Sequence, residues 1–535
     1  MNEMKNRFKK HLLILLLIVS PVLFGQNDFN NVKTFGAVGD GVTLDTKAIQ
    51  ETIDKTAEAG GTVYFPAGKY LIGSVFLKSN VTIYVSSGAT IIGSKSLSDY
   101  KEHQPKLKSY NDVFLKYSLF YAEDAENISI KGEGTIDGQG SAFKVTTKEK
   151  PQRYMNRPFV IRFVNCKNVR IENITLKNSP MWMQQYLGCQ DLFINKIKVY
   201  NHSNKNNDMM DIDGCKNVVI SDCIGDTDDD GITLKSTSPL ITENVTINNC
   251  VLSSHCNAIK FGTESTGGFR NINISNIIVK PSAADSVITG FANGISGITL
   301  ATVDGGIIDG VIISNIRIDG PQVPIYLRLG NRARKYSADA PEVGVGSFKN
   351  VSISNIIADN VGAYGCSITG LPGYYVENIS LENISINFAG GVTINNFNTE
   401  MKELEDSYPE STMWGNLPAY GFYLRHVNDI KFSNITVKFK TKDVRPAIFC
   451  SDIENAIFNQ MSISIDKSAE SVIVFDNVRN SIISNSNIDN EVNSFLNVID
   501  KNSRDIYLMN NVLPKVKELF SAPAEVNIQL NGNIN

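Results

Sequence analysis

Apolar and polar residues alternate over short stretches of this chain, and Asn or Gly punctuates the alternation. The phrase NVRIENITLKNS begins at Asn168, NVVISDCIGDT at Asn217, NVTINNCVLSS at Asn244 and NINISNIIVKP at Asn271. Further copies open at Gly310, Asn350, Asn378 and Asp429, and weaker ones follow. Asn217, Asn244 and Asn271 are 27 residues apart, and Asn350 and Asn378 are 28 apart. Period-two alternation marks strands with one buried face, and Asn and Gly supply the turns between them. Repeats of ~25 residues are too short for propeller blades of ~40–45 residues. They predict a solenoid whose coils each add strands to long parallel sheets. The expected fold is therefore all-β, a right-handed parallel β-helix. One helical pattern, Thr46 to Ala59, is placed to cap its N-terminal opening.

Two stretches break the rhythm: Lys101 to Asn156, and the irregular run from Glu400 to Pro418. Long excursions from a regular scaffold commonly wall a binding cleft. Cys166, Cys189 and Cys215 open equivalent phrases, as do Cys223 and Cys250, so a stack of reduced interior thiols is expected rather than a disulfide framework. A basic segment, Lys5 to Lys10, precedes the apolar run Leu12 to Phe24, which is shorter than the ~20 residues of a membrane span. Residues 1–25 thus read as a secretory signal peptide, followed by a single β-helix domain over 26–535. The exported protein is expected in the periplasm or outside the cell, without a membrane span and as a monomer. The net charge of −4 lacks the basic footprint of a nucleic-acid binder.

The densest chemistry lies between Asn206 and Lys260. Asp208 precedes Asp229 and Asp230 by 21 and 22 residues, and His255 follows Asp230 by 25. Each interval approximates one coil, so these side chains are expected to converge across strands ~4.8 Å apart. Crowded carboxylates repel, and at least one then holds its proton near neutral pH. Cleavage of a glycosidic bond needs such an acid together with an ionised partner. Separations of about two rungs would suit an inverting reaction, with ~6.5–9.5 Å between the carboxyl groups. Asp211, Asp213, Asp226 and Asp228 read as turn caps or rim residues. The DTDDD run is also compatible with a hard cation, but no metal or other cofactor is assigned.

At these residues the chain resembles glycoside hydrolase family 28, the polygalacturonase-like β-helices. Asn206-Asn207-Asp208 is similar to that family's N-T-D motif, Asp228-Asp229-Asp230 to its G/Q-D-D motif, and Ser254-His255-Cys256 to its G-H-G motif. FGAVGDGVTLDTKAIQ from Phe35 and GEGTIDGQG from Gly132 extend the resemblance. It implies Asp229 as the general acid, Asp208 and Asp230 as activators of the water, His255 as an assistant, inversion at the anomeric centre, and no cofactor. The family's R-I-K region reads SGITLAT here, from Ser296 to Thr302, without its cations. Asn206, Lys235, Lys260, Arg328, Arg332 and Arg425 are the candidates to grip the substrate instead, Arg being suited to bidentate carboxylate or sulfate contacts.

The expected substrate is an anionic, uronic-acid-containing plant or algal polysaccharide such as pectin, rhamnogalacturonan or ulvan, or its oligosaccharides. Two alternatives stand beside a hydrolase. One is a lyase or dehydratase that eliminates at a uronate, which needs a base and a cation to neutralise the developing charge. The other is a non-catalytic carbohydrate-binding helix, which would not require three aspartates.

Overall fold

The computed structural model describes residues 29–397 and 400–534. The proposed leader therefore lies outside the described residues. Among the described residues no helix is long and apolar enough to cross a membrane.

Strand pairing runs without a break from Phe29–Asn31 to Ile528–Asn531, and every pairing between named strands is parallel. The chain is a right-handed parallel β-helix; a strand twisted to the right packs its crossover back onto the sheet only in that hand. Val218 pairs with Val245 and Val245 with Ile272, 27 residues on each time. Inward positions are a continuous column in which Val, Ile, Leu and Phe predominate, while outward ones are mostly polar, with Val219, Ile278, Ile312 and Ile357 as exposed apolar exceptions. The helix α1 (Thr46–Ala57) buries Ile49, Thr52, Ile53 and Thr56 against the first coils.

The Asn residues of the repeat form two external ladders. In one, Asn244 Nδ2 donates to Asn217 Oδ1 at 3.1 Å, and Asn271 to Asn244 at 3.3 Å. In the other, Asn249, Asn276, Asn315, Asn355, Asn383 and Asn434 each donate to the residue one coil earlier. Every rung residue has a φ near +55°. Asn tolerates that left-handed conformation better than other non-glycine residues, and stacked amides bond to one another as in cross-β ladders. The coil corners are thus written in the sequence as Asn. Inside, all eight cysteines are buried and unpaired. Cys166, Cys189 and Cys215 point their thiols at main-chain carbonyls.

One sheet carries the chemistry. Its strands include β1 (Phe159–Val164), β2 (Gln184–Leu187), β3 (Met210–Asp213), β4 (Ile232–Ser236), β5 (Asn257–Ser265), β6 (Ser296–Thr302) and β7 (Val323–Leu329). Arg162, Gln185, Asp211, Thr233, Lys260, Thr299 and Tyr326 lie in register across them. All face outward, yet all are buried, because the two irregular segments fold over this row.

Asn315 is an exposed rung with a ladder neighbour on each side. Asn315→Ala should cost about 1–2 kcal/mol, the sum of a left-handed Cβ penalty and lost amide contacts. Asn315→Gly should cost less. The urea midpoint is the measurement; an Ala variant as stable as the parent would remove the ladder as a determinant.

Candidate active site

The first irregular segment is fastened at the β1 end of the row. Asp112 Oδ1 takes a bond from Arg162 Nη2 at 2.8 Å, Leu115 O accepts from the same guanidinium, and Tyr110 N donates to Thr237 O at 2.8 Å. The second is fastened toward β7. Arg328 donates to Glu403 O at 2.7 Å and Arg425 to Met401 O at 2.6 Å, while Trp414 lies over the Arg328 guanidinium at 5.2 Å. Between the two segments is a cavity of about 310 Å³. A wider, open depression of about 690 Å³ runs over a ladder face from Asn244 to Ser380, and no titratable side chain lines it.

Asp208, Asp229 and Asp230 all line the enclosed cavity. Met209 N donates to Asp230 O at 2.9 Å, which sets Asp208 on the coil adjacent to the Asp229-Asp230 turn. The loop before β3 is fixed by Asn207, whose amide bonds Ser203 N, Asn204 N, Ser179 O and Met181 O. Asn206 lines the cavity and accepts from Arg157 at 3.0 Å. Asp230 Oδ2 is 2.7 Å from Lys260 Nζ, and its Oδ1 accepts from Asn257 Nδ2 at 2.8 Å. Asp229 is half-buried and accepts from the Asp230 amide at 3.0 Å. Burial, then the neighbouring Asp230 charge, push its carboxyl up to about 6.

Asp208 and Asp211 are buried more deeply. Burial first, then neighbouring carboxylates, drive both well above the usual range; Lys235, 3.5 Å from Asp211, only partly opposes this. Asp211 Oδ1 and Oδ2 have no hydrogen-bond partner among the described residues, so Asp211 is no turn cap. Asp213 caps the following turn, holding Thr237 through its amide and hydroxyl. The expected two-rung separation is not found. Asp208 is one coil from Asp230, and one oxygen each of Asp229 and Asp230 lie within 4.8 Å. That is below the ~6.5–9.5 Å of a one-water inverting pair.

Cations crowd the walls. Lys235 bridges Asp211 and Glu264 with its ammonium over the Trp182 ring at 4.7 Å. Burial opposes the charge of Glu264, but Lys235, Arg334 and Arg332 hold it well below the carboxylate range. Arg332 pairs with Asp304, and Arg334 stacks on Tyr110 at 3.6 Å. Lys150 and Arg153 have no carboxylate within ion-pair distance among the described residues. Burial, then the neighbouring Arg153 and Arg334 charges, lower the Lys150 ammonium. From the second segment come Tyr408, 3.2 Å from Lys260, and Glu410, which burial raises to about 7.

Three expected site residues do not reach the cavity. His255 is buried behind it, its Nδ1 2.9 Å from Asp228 Oδ1; its partner one coil back is Asp228 rather than Asp230. Arg328 and Arg425 are spent on the backbone of the second segment. Conversely, Lys150, Arg153, Arg334, Glu264, Tyr408 and Glu410 escape the sequence reading. Most come from segments without a repeat, where no register predicts what a side chain meets. In β6, Thr299 stands on the rung beside Lys260, so the preceding coil supplies a cation that SGITLAT lacks. Ligand atoms of Asp229, Asp230 and Cys256 also lie close enough for a metal, but the Lys260 ammonium already occupies Asp230.

The family profile of glycosyl hydrolases family 28 matches residues 59–405, and the chain belongs to this family; it is a glycosidase. A probable polygalacturonase of Vitis vinifera is 26% identical over 425 residues, covering 72% of this chain and 82% of that protein. The exo-poly-alpha-D-galacturonosidase of Dickeya chrysanthemi is 26% identical over 248 residues, 38% of this chain and 41% of its own. Among solved structures, an exopolygalacturonase from Thermotoga maritima is similar with a TM-score of 0.55 at 23% identity. That match covers 67% of this chain and 87% of the other.

His426 clasps the second segment from beneath. Its Nδ1 is 2.7 Å from Asp452 and its Nε2 3.3 Å from Glu403, with Arg425, Tyr375 and Arg479 around these carboxylates. Burial works against the imidazolium, but the two carboxylate contacts outweigh it and raise its pKa. The clasp is therefore complete below the unfolded value of ~6.5 and is lost as pH rises through the raised folded value. Limited proteolysis within 400–418 should speed up with rising pH, and His426→Gln should flatten the dependence. A pH-independent cleavage rate in the parent would contradict this.

Proposed function

We propose that the protein hydrolyses glycosidic bonds in an anionic, uronic-acid-containing polysaccharide of the galacturonan type or its oligosaccharides. The carrying observation is one cavity that joins three aspartates to two cations, Lys150 and Arg153, without carboxylate partners among the described residues. Asp229 is the general acid: it lines the cavity half-buried beside Asp230, has no ammonium within ion-pair distance among the described residues, and holds its proton to about 6, so it can pass that proton to the leaving oxygen. Asp230 is the base toward water, an assignment supported by its Lys260 and Asn257 contacts, which aim the carboxylate. Asp208 orients that water from the neighbouring coil. Lys150 and Arg153 take the uronate carboxylate, assisted by Arg334, while Lys235, Lys260 and Arg332 set the field of the site. The similarity to a probable polygalacturonase and to an exo-poly-alpha-D-galacturonosidase favours galacturonan over ulvan. Inversion rests on the family resemblance, not on the carboxyl spacing. Export through residues 1–25 belongs to the same reading.

Incubation with polygalacturonate, rhamnogalacturonan and ulvan oligosaccharides, following reducing ends and the unsaturated-uronate absorbance, tests the reaction. New reducing ends without absorbance are expected; absorbance would make it an eliminating enzyme. Proton NMR of the first product should show the inverted anomer. Asp229→Asn should lower kcat by about 10³-fold, within the range of a general acid, with an unchanged circular dichroism spectrum. Near-parental turnover would reject the acid. Lys150→Ala with Arg153→Ala should raise KM by tenfold or more on uronate substrates, about one charge-assisted bond. An unaltered KM would remove these two cations from binding.

A further inference from the structure

A second cluster lies behind the turn that presents Asp229, and its side chains are not part of the lining of the enclosed cavity. His202 follows the strand Lys198–Asn201, Asp228 follows Ile224–Thr227, and His255 follows Thr242–Ser254. Asn201 pairs with Thr227 and Thr227 with Ser254. The three residues are thus the next position on three successive coils. Their side chains are 4%, 0% and 1% exposed. His255 Nδ1 is 2.9 Å and His202 Nδ1 4.0 Å from Asp228 Oδ1, and one ligand atom of each lies within 4.8 Å of the others.

Three polar atoms here have no hydrogen-bond partner among the described residues: His202 Nδ1, Asp228 Oδ2 and His255 Nε2. Buried polar atoms are seldom left so. His202 Nε2 is already engaged, 2.8 Å from Asp226 Oδ1, and that carboxylate also holds the Ser282 hydroxyl and Ala283 N. With Nε2–H donated to Asp226, Nδ1 turns a lone pair toward the Asp228 carboxylate at a distance too long for a hydrogen bond. Two facing acceptors in a buried site are an arrangement that a cation satisfies.

We infer that His202, Asp228 and His255 bind a divalent transition ion of the zinc type. Zinc takes imidazole nitrogen and carboxylate oxygen at ~2.0–2.2 Å, which puts tetrahedral ligand atoms ~3.4 Å apart; the distances of 2.9 and 4.0 Å bracket this. Asp226 stands to His202 as the outer carboxylate that fixes the tautomer of a metal-bound imidazole. The nitrogen donors disfavour calcium, which takes oxygen, and the carboxylates of the DTDDD run point to different places. Asp226 goes to His202, Asp228 to His255, and Asp230 to Lys260. On binding, the ion displaces the proton shared by His255 Nδ1 and Asp228. It ties three coils to the segment Ser282–Ile288, whose Ile288 N bonds Asp228 at 2.7 Å, and so braces the turn carrying Asp229 and Asp230.

The test uses the tag-free full chain, stripped with a chelator, reloaded with Zn²⁺ and desalted. Metal analysis should find one equivalent retained and a Tm raised by several degrees over the stripped protein. Co²⁺ in place of Zn²⁺ should give visible d–d absorption of a nitrogen–oxygen site. His202→Ala should lose the retained metal, the Tm shift and the Co²⁺ bands together. Asp226→Asn keeps all three ligands and should weaken Zn²⁺ binding 10–100-fold, which carries the test if the Ala variant does not fold. Retention by His202→Ala equal to the parent, or no Tm response in the parent, would overturn the site. Activity is not the readout, so failure of the Asp229 assignment would leave this result separate.

Discussion

Parallel pairing between successive coils is the constraint on which everything else in this molecule depends. Each coil is hydrogen-bonded to the one before it at the ~4.8 Å spacing of a sheet, so a side chain's neighbours are set by residue number plus one coil length. The Asn ladders guard that register at the corners and the apolar column guards it inside. A slip by one residue would turn every outward group inward, exposing the core and burying Asp211 and Lys260 among aliphatic side chains. Register is therefore strongly specified, and the site inherits its precision from the scaffold.

What the scaffold assembles is electrostatically expensive. Asp208, Asp211, Asp229 and Asp230 are packed where water is scarce, and burial raises three of them before any mutual repulsion is counted. Lys235 and Lys260 offset part of that cost; Glu264 in turn anchors Lys235 and Arg334, while Asp304 holds Arg332. The result is an interleaved set of opposite charges in which Lys150 and Arg153 have no carboxylate within ion-pair distance among the described residues. A uronate carboxylate completes such a set, whereas a neutral sugar leaves Lys150 and Arg153 facing each other's charge.

Legibility in the sequence followed the repeat. Asn217, Asn244 and Asn271 announce both the coil length and the corners, and coil arithmetic suffices to bring Asp208 to the Asp229-Asp230 turn. The same arithmetic misplaced His255 by two residues: its 27-residue interval to Asp228 is a coil, and its 25-residue interval to Asp230 is not. Alternation around a corner then decides which side a residue faces, and corners are where alternation fails. Arg328 and Arg425 were recognisable as outward cations, but nothing in their phrases tells that the backbone of 401–403 would claim them. Lys150, Arg153, Tyr408 and Glu410 sit in segments without periodicity, where only tertiary contact assigns a partner.

The central claim is that one-coil stacking directs three acidic groups and a cationic wall at a single sugar linkage. A crystal of the Asp229→Asn protein soaked with a galacturonate oligosaccharide tests it directly. The account predicts a glycosidic oxygen within hydrogen-bond reach of residue 229 and a uronate carboxylate against Lys150 and Arg153. A sugar bound instead along the open Asn244–Ser380 face, or with its linkage turned from Asp208 and Asp230, would contradict it.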